Sequence, residues 1–429
     1  MTSAATPPVP ARRPLMPLDE ARASLLQQVV ALSRSEQVPT FEADGRVLAE
    51  DLVSVLQVPP QDNSSMDGYA VRVADVTEAG AVLPVSQRVA AGHAAEPLRP
   101  GTCARIFTGA PLPEGADAVV MQEDTRDVGG DLHAVHIDAV PQLGQWVRRS
   151  GEDVRRGSTV LSRGQRLSPA GMGLAASLGL ARLSVVARPR VALFSTGDEL
   201  VMPGEVDPAD MKPGAIYNSN RFFLRAMLHR LGCEVSDLGI VPDSREKTLA
   251  ALKSAADHHD LILTSGGVSV GEEDHIKPAV EQLGQLALWQ IAMKPGKPFA
   301  YGSVRRDGGA GQGESPACHF IGLPGNPVSS FVTFLLLVRP FLLKLQGADA
   351  AMPQPVMLPA HFNWTRADKR REFLRVRRNA NGGLDVFPNQ SSGVLTSAVW
   401  GDGLVDNPPG RTIAHGELVP FMAFSEYLA

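Results

Sequence analysis

Leu261-Ile262-Leu263-Thr264-Ser265-Gly266-Gly267-Val268-Ser269-Val270-Gly271-Glu272-Glu273-Asp274 joins a short apolar run to a glycine-rich turn. The apolar run ending in Thr-Ser has the pattern of a parallel strand buried on both faces. Two successive glycines permit a turn that a residue with a Cβ makes only at a cost. Ser269 and Gly271 then lead toward a helix predicted to start near Glu272 and to run through Val280-Glu281-Gln282-Leu283. Strand, turn and helix N-terminus aim backbone N–H groups at one point, an arrangement suited to phosphate. No Lys follows the last glycine, and the glycines do not fit Gly-x-Gly-x-x-Gly, so neither a P-loop nor a dinucleotide fingerprint is present. Glu272, Glu273 and Asp274 are explained first by the helix dipole. The alternative is a divalent cation bridging a phosphate to these carboxylates.

Outward from this stretch, strand and helix patterns alternate. Strands are expected at 191–195, 235–241, 288–293, 299–304 and 318–323, with helices at 218–231, 244–256 and 326–345. Asn218 or Ser219 is the expected cap of the first helix. Such alternation predicts a three-layer α/β domain with a mostly parallel sheet, whose ligands bind beyond the carboxyl ends of the strands. Polar clusters follow the strands there: Ser195-Thr196-Gly197-Asp198-Glu199, then Asp243, then Lys294-Pro295-Gly296-Lys297-Pro298, then Pro324-Gly325-Asn326-Pro327. Each has a plain explanation as well. Glu199 can cap a turn, Asp243-Ser244 can cap a helix, and Gly325-Asn326-Pro327 can simply start one. Lys294 and Lys297 are more specific, because two ammonium groups held near each other by rigid prolines repel unless an anion intervenes. The Gly-rich loop 305–316 is expected on the surface.

The flanks differ in character. Residues 1–17 are rich in Ala, Pro and Thr and are expected to form a tail. An amphipathic helix starts at Leu18-Asp19-Glu20, with Leu25, Leu26, Val29, Val30 and Leu32 on or near its buried face. Residues 55–147 show short alternating runs broken by Pro and Gly, the mark of a β-rich module. It interrupts a helical domain made of 18–54 and 148–187. The α/β domain is expected over 188–346 and a small β domain over 347–429. Within the module, Asp62-Asn63-Ser64-Ser65-Met66-Asp67-Gly68-Tyr69-Ala70-Val71 reads alone as an Asx-rich turn entering a strand. Ile106-Phe107-Thr108-Gly109-Ala110-Pro111 alone defines no chemistry.

The 429 residues suggest about three domains. A hydrophobic share of 44% can fill sizeable cores, and a net charge of −5 without a basic stripe, together with few aromatics, argues against nucleic acid. The longest apolar run, 331–338, is too short to span a bilayer, so no membrane partner is expected. Cys103, Cys233 and Cys318 are few and scattered, as packed reduced thiols would be. With no signal-peptide pattern near the N-terminus, a cytoplasmic location is expected.

Together the motifs resemble the molybdopterin molybdenumtransferase family, which includes the C-terminal part of gephyrin. The matching runs are 62–71, 106–111 with Gly115-Ala116-Asp117-Ala118-Val119-Val120, Ser150-Gly151-Glu152-Asp153, 194–200, 264–271, 294–299 and 322–327. They keep their order over nearly all of the chain from Leu18 onward. The resemblance implies a four-domain, elongated homodimer: helical linker domain, inserted β-rich module, molybdopterin-binding α/β domain and C-terminal β barrel. It implies insertion of molybdate into adenylyl-molybdopterin with release of AMP, a magnesium requirement, and transient contact with other cofactor-biosynthesis proteins.

Carried onto this chain, the resemblance assigns Lys294 and Lys297 to molybdate, with Arg375 and Ser392 joining from the barrel. Thr264, Ser265, Gly266, Gly267, Ser269 and Gly271, with Pro324, Gly325, Asn326 and Pro327, would hold the pterin nucleotide. Asp243, Asp274 and Glu199 would bind magnesium or activate water. Asp67 and Thr108 match active-site positions contributed across the dimer. The match around Gln390-Ser391-Ser392-Gly393 is loose, so Ser391 competes with Ser392. Two other functions stay in view. One is a non-catalytic molybdopterin-binding scaffold, and the other is a molybdopterin adenylyltransferase, which needs only the α/β part.

Overall fold

A computed structural model of the chain describes residues 15–128, 133–267, 275–307, 317–349 and 352–428. These form two compact units. The larger contains the described residues of Met1–Glu36, Gly45–Val47 and Val185–Ala429, and the smaller contains Gln37–Asp44 and Leu48–Ser184.

At the centre of the larger unit is a six-stranded sheet. Glu234–Val241, Arg190–Thr196, Leu261–Ser265 and Cys318–Leu323 run parallel in that order, followed by antiparallel Pro298–Val304 and Gly284–Gln290. The sheet is therefore parallel on one side and ends in a hairpin-like pair. Alternate residues feed two cores. Val191, Leu193, Leu261, Leu263, Ile321 and Leu323 pack against Asn220–Arg230 and the long helix Pro327–Leu345. Ala192, Phe194, Ile262 and Phe320 pack against Arg245–His258 and Ile276–Leu283. Burial on both faces is why these strands are apolar at every position rather than at every second one.

Several elements differ from expectation. The first helix, Leu18–Gln27, buries Leu18, Ala21 and Leu25 at helical spacing within the larger core. The stretch 18–54 is thus divided between the two units, and Val30, beyond the helix end, is 82% exposed. The expected strand 288–293 is broken into Gly284–Gln290 and Met293–Lys294. The helix after Asn218 starts at Asn220; Ser219 makes no cap bond, whereas Asn218 Oδ1 accepts from Arg221 N at 3.3 Å. Helix Ile276–Leu283 starts later than expected, and its proposed approach through Glu272, Glu273 and Asp274 lies outside the described residues. Most of the 305–316 loop lies outside them too. Pro327–Leu345 passes through a π-helical turn at Phe334–Val338. It is long and apolar enough to cross a membrane but is almost wholly buried in the core of this unit.

The C-terminal strands close on themselves. Arg371–Arg378 pairs with Gly403–Asn407, which pairs with Leu418–Ala423, which pairs with Val356–Pro359. A single bridge from Ala360 to Leu384 reaches Leu384–Val386, which pairs back onto Arg371–Arg378. The interior is filled by Phe362, Leu374, Val376, Val405, Ile413, Val419 and Phe421. One further strand, Met293–Lys294, adds in parallel to Arg371–Arg378. That pairing carries the lysine loop out of the α/β sheet and onto the barrel.

The smaller unit holds another six-stranded sheet, in the order Ala118–Met121, Gly68–Val71, Cys103–Ile106, Ala81–Val89, Ala134–Ile137, Thr125–Asp127. Its one helix of more than one turn among the described residues, Pro169–Ser177, starts with Pro169 in the first turn and is capped by Ser168 Oγ, which accepts from Gly171 N at 3.2 Å. The three cysteines are buried and free, and burial pushes each thiol up to about 12.

Candidate functional site

Because the four central strands are parallel, the loops at their carboxyl ends share one rim. Ser195 is level with Ser265, and Ser265 with Leu323. Gly266 N donates to Leu323 O at 3.0 Å, and Gly266 adopts φ +95°. A Cβ there would stand 2.9 Å from Thr196 O, so the turn closes only with glycine. A Cβ on Gly325 would lie 4.0 Å from Gly266 Cα, which sets the second loop directly beside the turn. Asn220, unremarked in the sequence, ties the two together. Its Nδ2 donates to Ser265 Oγ and to Gly325 O, both at 2.7 Å. On the same rim Asp243 N donates to Asp198 Oδ1 at 3.3 Å, and Glu199 folds its carboxylate back over Gly197. Ser244 makes no capping side-chain bond.

Lys294, Pro295, Gly296 and Lys297 line a cleft of about 370 Å³ together with Asn326, Ser329, Arg370, Gln390, Ser391 and Ser392. It lies at the N-terminus of Pro327–Leu345, where the helix dipole favours an anion. Val328 N there donates to Ser392 O at 2.9 Å. The two lysines are not equivalent. Lys294 Nζ is 3.0 Å from Glu372 Oε1 and 3.4 Å from Asp368 Oδ2. Glu372 is 1% exposed, and its other oxygen accepts from Trp364 Nε1 at 2.8 Å. Lys297 is exposed, and no carboxylate is found within ion-pair distance of it among the described residues. Two carboxylates thus already offset the Lys294 charge, so the mutual repulsion expected of the pair is reduced from that side.

Arg370 is the cleft's third cation. It grips Asp368 through Nε at 3.0 Å and Nη2 at 2.8 Å, and this bond holds the Asp368 carboxyl well below the usual range. The sequence reading chose Arg375 instead. Arg375 is 1% exposed and lies beneath the cleft, not in it. Its Nη2 donates to Ser391 O at 3.2 Å, its Nε to Ser397 Oγ at 3.1 Å and its Nη1 to Phe373 O at 3.1 Å. Burial pulls its guanidinium down to about 10. Arg375 thus shapes the Ser391–Ser392 loop from below. Arg375 is carried over by resemblance; Arg371–Arg378 is buried at every position from Glu372 to Val376, which encloses Arg375, whereas Arg370 stands just before the strand and reaches the cleft. Ser391 and Ser392 both line the cleft.

In the smaller unit Gly68 is level with Ile106. That register brings Asp67 and Thr108 together: Asp67 Oδ1 accepts from Thr108 N and from Thr108 Oγ1, each at 2.8 Å. These bonds depress the Asp67 carboxyl. Asp62 accepts from Ser150 N at 2.8 Å and from Arg149 Nη1 at 2.7 Å, joining two further motifs. Ser269, Gly271 and Asp274 lie outside the described residues.

Three family models match in order: the MoeA N-terminal region (domains I and II) over residues 16–179, a probable molybdopterin binding domain over 192–344, and the MoeA C-terminal region (domain IV) over 357–424. Fold and site thus define a multidomain protein built on a molybdopterin-binding α/β domain. The molybdopterin molybdenumtransferase of Haemophilus influenzae is 41% identical over 364 residues, which is 84% of this chain and 85% of that protein. Its namesake from Synechococcus elongatus is 37% identical over 87% of this chain and 91% of its own. The crystal structure of the molybdopterin biosynthesis moeA protein from Pyrococcus horikoshii superposes with a TM-score of 0.80 at 29% identity, covering 96% of this chain and all of that one. The chain belongs to the molybdopterin molybdenumtransferase family, whose members are transferases.

Proposed function

We propose that this chain inserts molybdenum from molybdate into adenylylated molybdopterin, releasing AMP, with the oxoanion held in the Lys294–Lys297–Arg370 cleft. The observation that supports this most is the charge arrangement. Three cations and two carboxylates meet at a helix N-terminus, leaving one ammonium, that of Lys297, without an acid partner among the described residues. A tetrahedral dianion there gains from Lys297, Arg370 and the helix end, and accepts from the Ser391 and Ser392 hydroxyls. Lys294, braced by Glu372, presents its ammonium in a fixed direction. The pterin nucleotide would lie along the adjoining rim, its phosphate on the Gly266-Gly267 turn, with Thr264, Ser265, Pro324, Gly325, Asn326 and Pro327 around it. Gly325 and Asn326 link that rim to the cleft. The sulfurs of the dithiolene could then replace oxygen on molybdenum without either anion leaving the protein.

Magnesium, if bound, would meet oxygen donors only, Asp243 and Glu199 with Asp274 beyond the described residues, and would neutralise phosphate charge. No group of three His, Cys, Asp or Glu side chains able to enclose an ion forms among the described residues. Carboxylates of this kind suit a cation shared with a substrate phosphate. We infer a cytoplasmic homodimer in which the exposed Asp67–Thr108 pair serves the other subunit's reaction, and transient contact with proteins that supply substrate or receive cofactor.

The test is incubation of purified protein with adenylyl-molybdopterin and molybdate. AMP release with activation of an apo molybdoenzyme is expected. Tight binding without AMP release would instead identify a scaffold, and consumption of ATP with molybdopterin would identify an adenylyltransferase.

A further inference from the structure

The same parallel strands that end at the candidate cleft begin at an opposite edge, roughly 15–20 Å away at strand rise. There Arg34, Asp260, Tyr301, Ser303, Arg306 and His319 line a cavity of about 530 Å³. We propose that this cavity is a second binding site, for a small organic anion bearing a phosphate or carboxylate on a flat apolar body. The inference does not rest on the reading of the catalytic cleft.

Its basis is an excess of guanidinium. Among the described residues Asp260 is the one carboxylate lining the cavity, and both of its oxygens already accept hydrogen bonds. Arg34 grips both of its oxygens, through Nη1 at 2.8 Å and through a second, shorter bond from Nη2, while Arg190 N adds a bond of 2.7 Å. Arg190 Nη2 and Arg306 Nη2 each stand 3.9 Å from the same Oδ1, so three guanidiniums share one acid. Nε of Arg190 and Nε of Arg306 are buried without an acceptor among the described residues, although Arg306 Nη2 reaches His259 O at 2.6 Å. The nearby acids among the described residues are committed or remote. Asp307 pairs with Lys253 at 2.7 Å, Asp257 accepts from Asp307 N, and Glu234 and Glu36 act on Arg34 only through the field.

Like charges gathered in a half-buried place repel, and an anion entering beside the Arg34 and Arg306 guanidiniums relieves that repulsion. A guanidinium fork suits phosphate or carboxylate. Val30, Leu32 and Leu345 add aliphatic lining, and the Tyr301 ring, stacked on Trp289 with centroids 6.1 Å apart, gives a flat surface. Tyr301 OH and His319 Nδ1 are hydrogen-bonded to each other at 3.0 Å, so that wall is already ordered.

The probes are AMP and inorganic phosphate, titrated calorimetrically into the full chain. We expect a class of AMP sites competed by phosphate and weakened about ten-fold or more in Arg306→Gln, as loss of a charge-assisted bond predicts. Val30 is exposed at the mouth, so Val30→Glu should weaken this class and Val30→Lys strengthen it without disturbing the fold. Lys297→Ala should leave this class unchanged, and Arg306→Gln should leave molybdenum insertion unchanged. Binding of both probes that is indifferent to Arg306→Gln and to the sign of charge at residue 30 would overturn the proposal. So would the absence of any such class up to about 10 mM ligand.

Discussion

Lys294 and Lys297 are three residues apart in one loop, yet they should fail differently when removed. Lys297→Ala deletes an exposed ammonium that has no acid partner among the described residues, so kcat/KM for molybdate should fall by roughly 10–100-fold with unfolding unchanged. Lys294→Ala should lower activity and also strand the Glu372 carboxylate, which is 1% exposed. Because Lys294 itself is 38% exposed, the loss in stability is set at about 1–2 kcal/mol, below the range for a fully buried pair. Urea unfolding of the two variants separates these outcomes; equal stabilities would contradict the asymmetry. Thr108 gives a pH-dependent counterpart. Its two bonds hold the Asp67 carboxyl below the ordinary 3.8, so their contribution to stability is complete above that value and is lost as pH falls through the lower folded value. In Thr108→Val the Asp67 pKa, followed by NMR, should rise toward the ordinary value, and that extra acid resistance should disappear.

Among elements, the glycine turn and the loop beside it act as one piece because Asn220 bonds both. Asn220→Ala should leave Ser265 and Gly325 without that donor and loosen the rim. The expected cost is about 1–3 kcal/mol of stability, with a rise in KM for the pterin nucleotide rather than for molybdate. A rise confined to the molybdate KM would show that Asn220 does not serve the turn. Gly266→Ala is harsher, since it sets a Cβ against Thr196 O at positive φ. These strands were legible in the sequence because burial on both faces leaves a continuous apolar run. The break between Gly284–Gln290 and Met293–Lys294 was not, because it depends on Met293–Lys294 finding a partner in Arg371–Arg378, a pairing with no local signal.

At the scale of the whole molecule, the proposed dimer makes a prediction that neither half of the site makes alone. If Asp67 is supplied to the other subunit's reaction, Asp67→Asn and Lys297→Ala proteins should each be nearly inactive. Mixed after subunit exchange, they should regain activity, up to about a quarter of the parent's specific activity if assortment is random. No recovery from a mixture shown by mass spectrometry to contain heterodimers would exclude a shared site.

The sequence by itself determined the α/β pattern, the glycine turn, the lysine pair and the ordered motifs that mark the family, because each is a local matter of periodicity, backbone freedom or residue type. Tertiary structure alone decided that Arg370 rather than Arg375 lines the cleft, that Glu372 neutralises Lys294, and that Asn220 clamps two loops. It also decided that three arginines meet at Asp260. All of these depend on how far each element is enclosed and on which distant element lies alongside it. Neither is encoded in nearest neighbours along the chain.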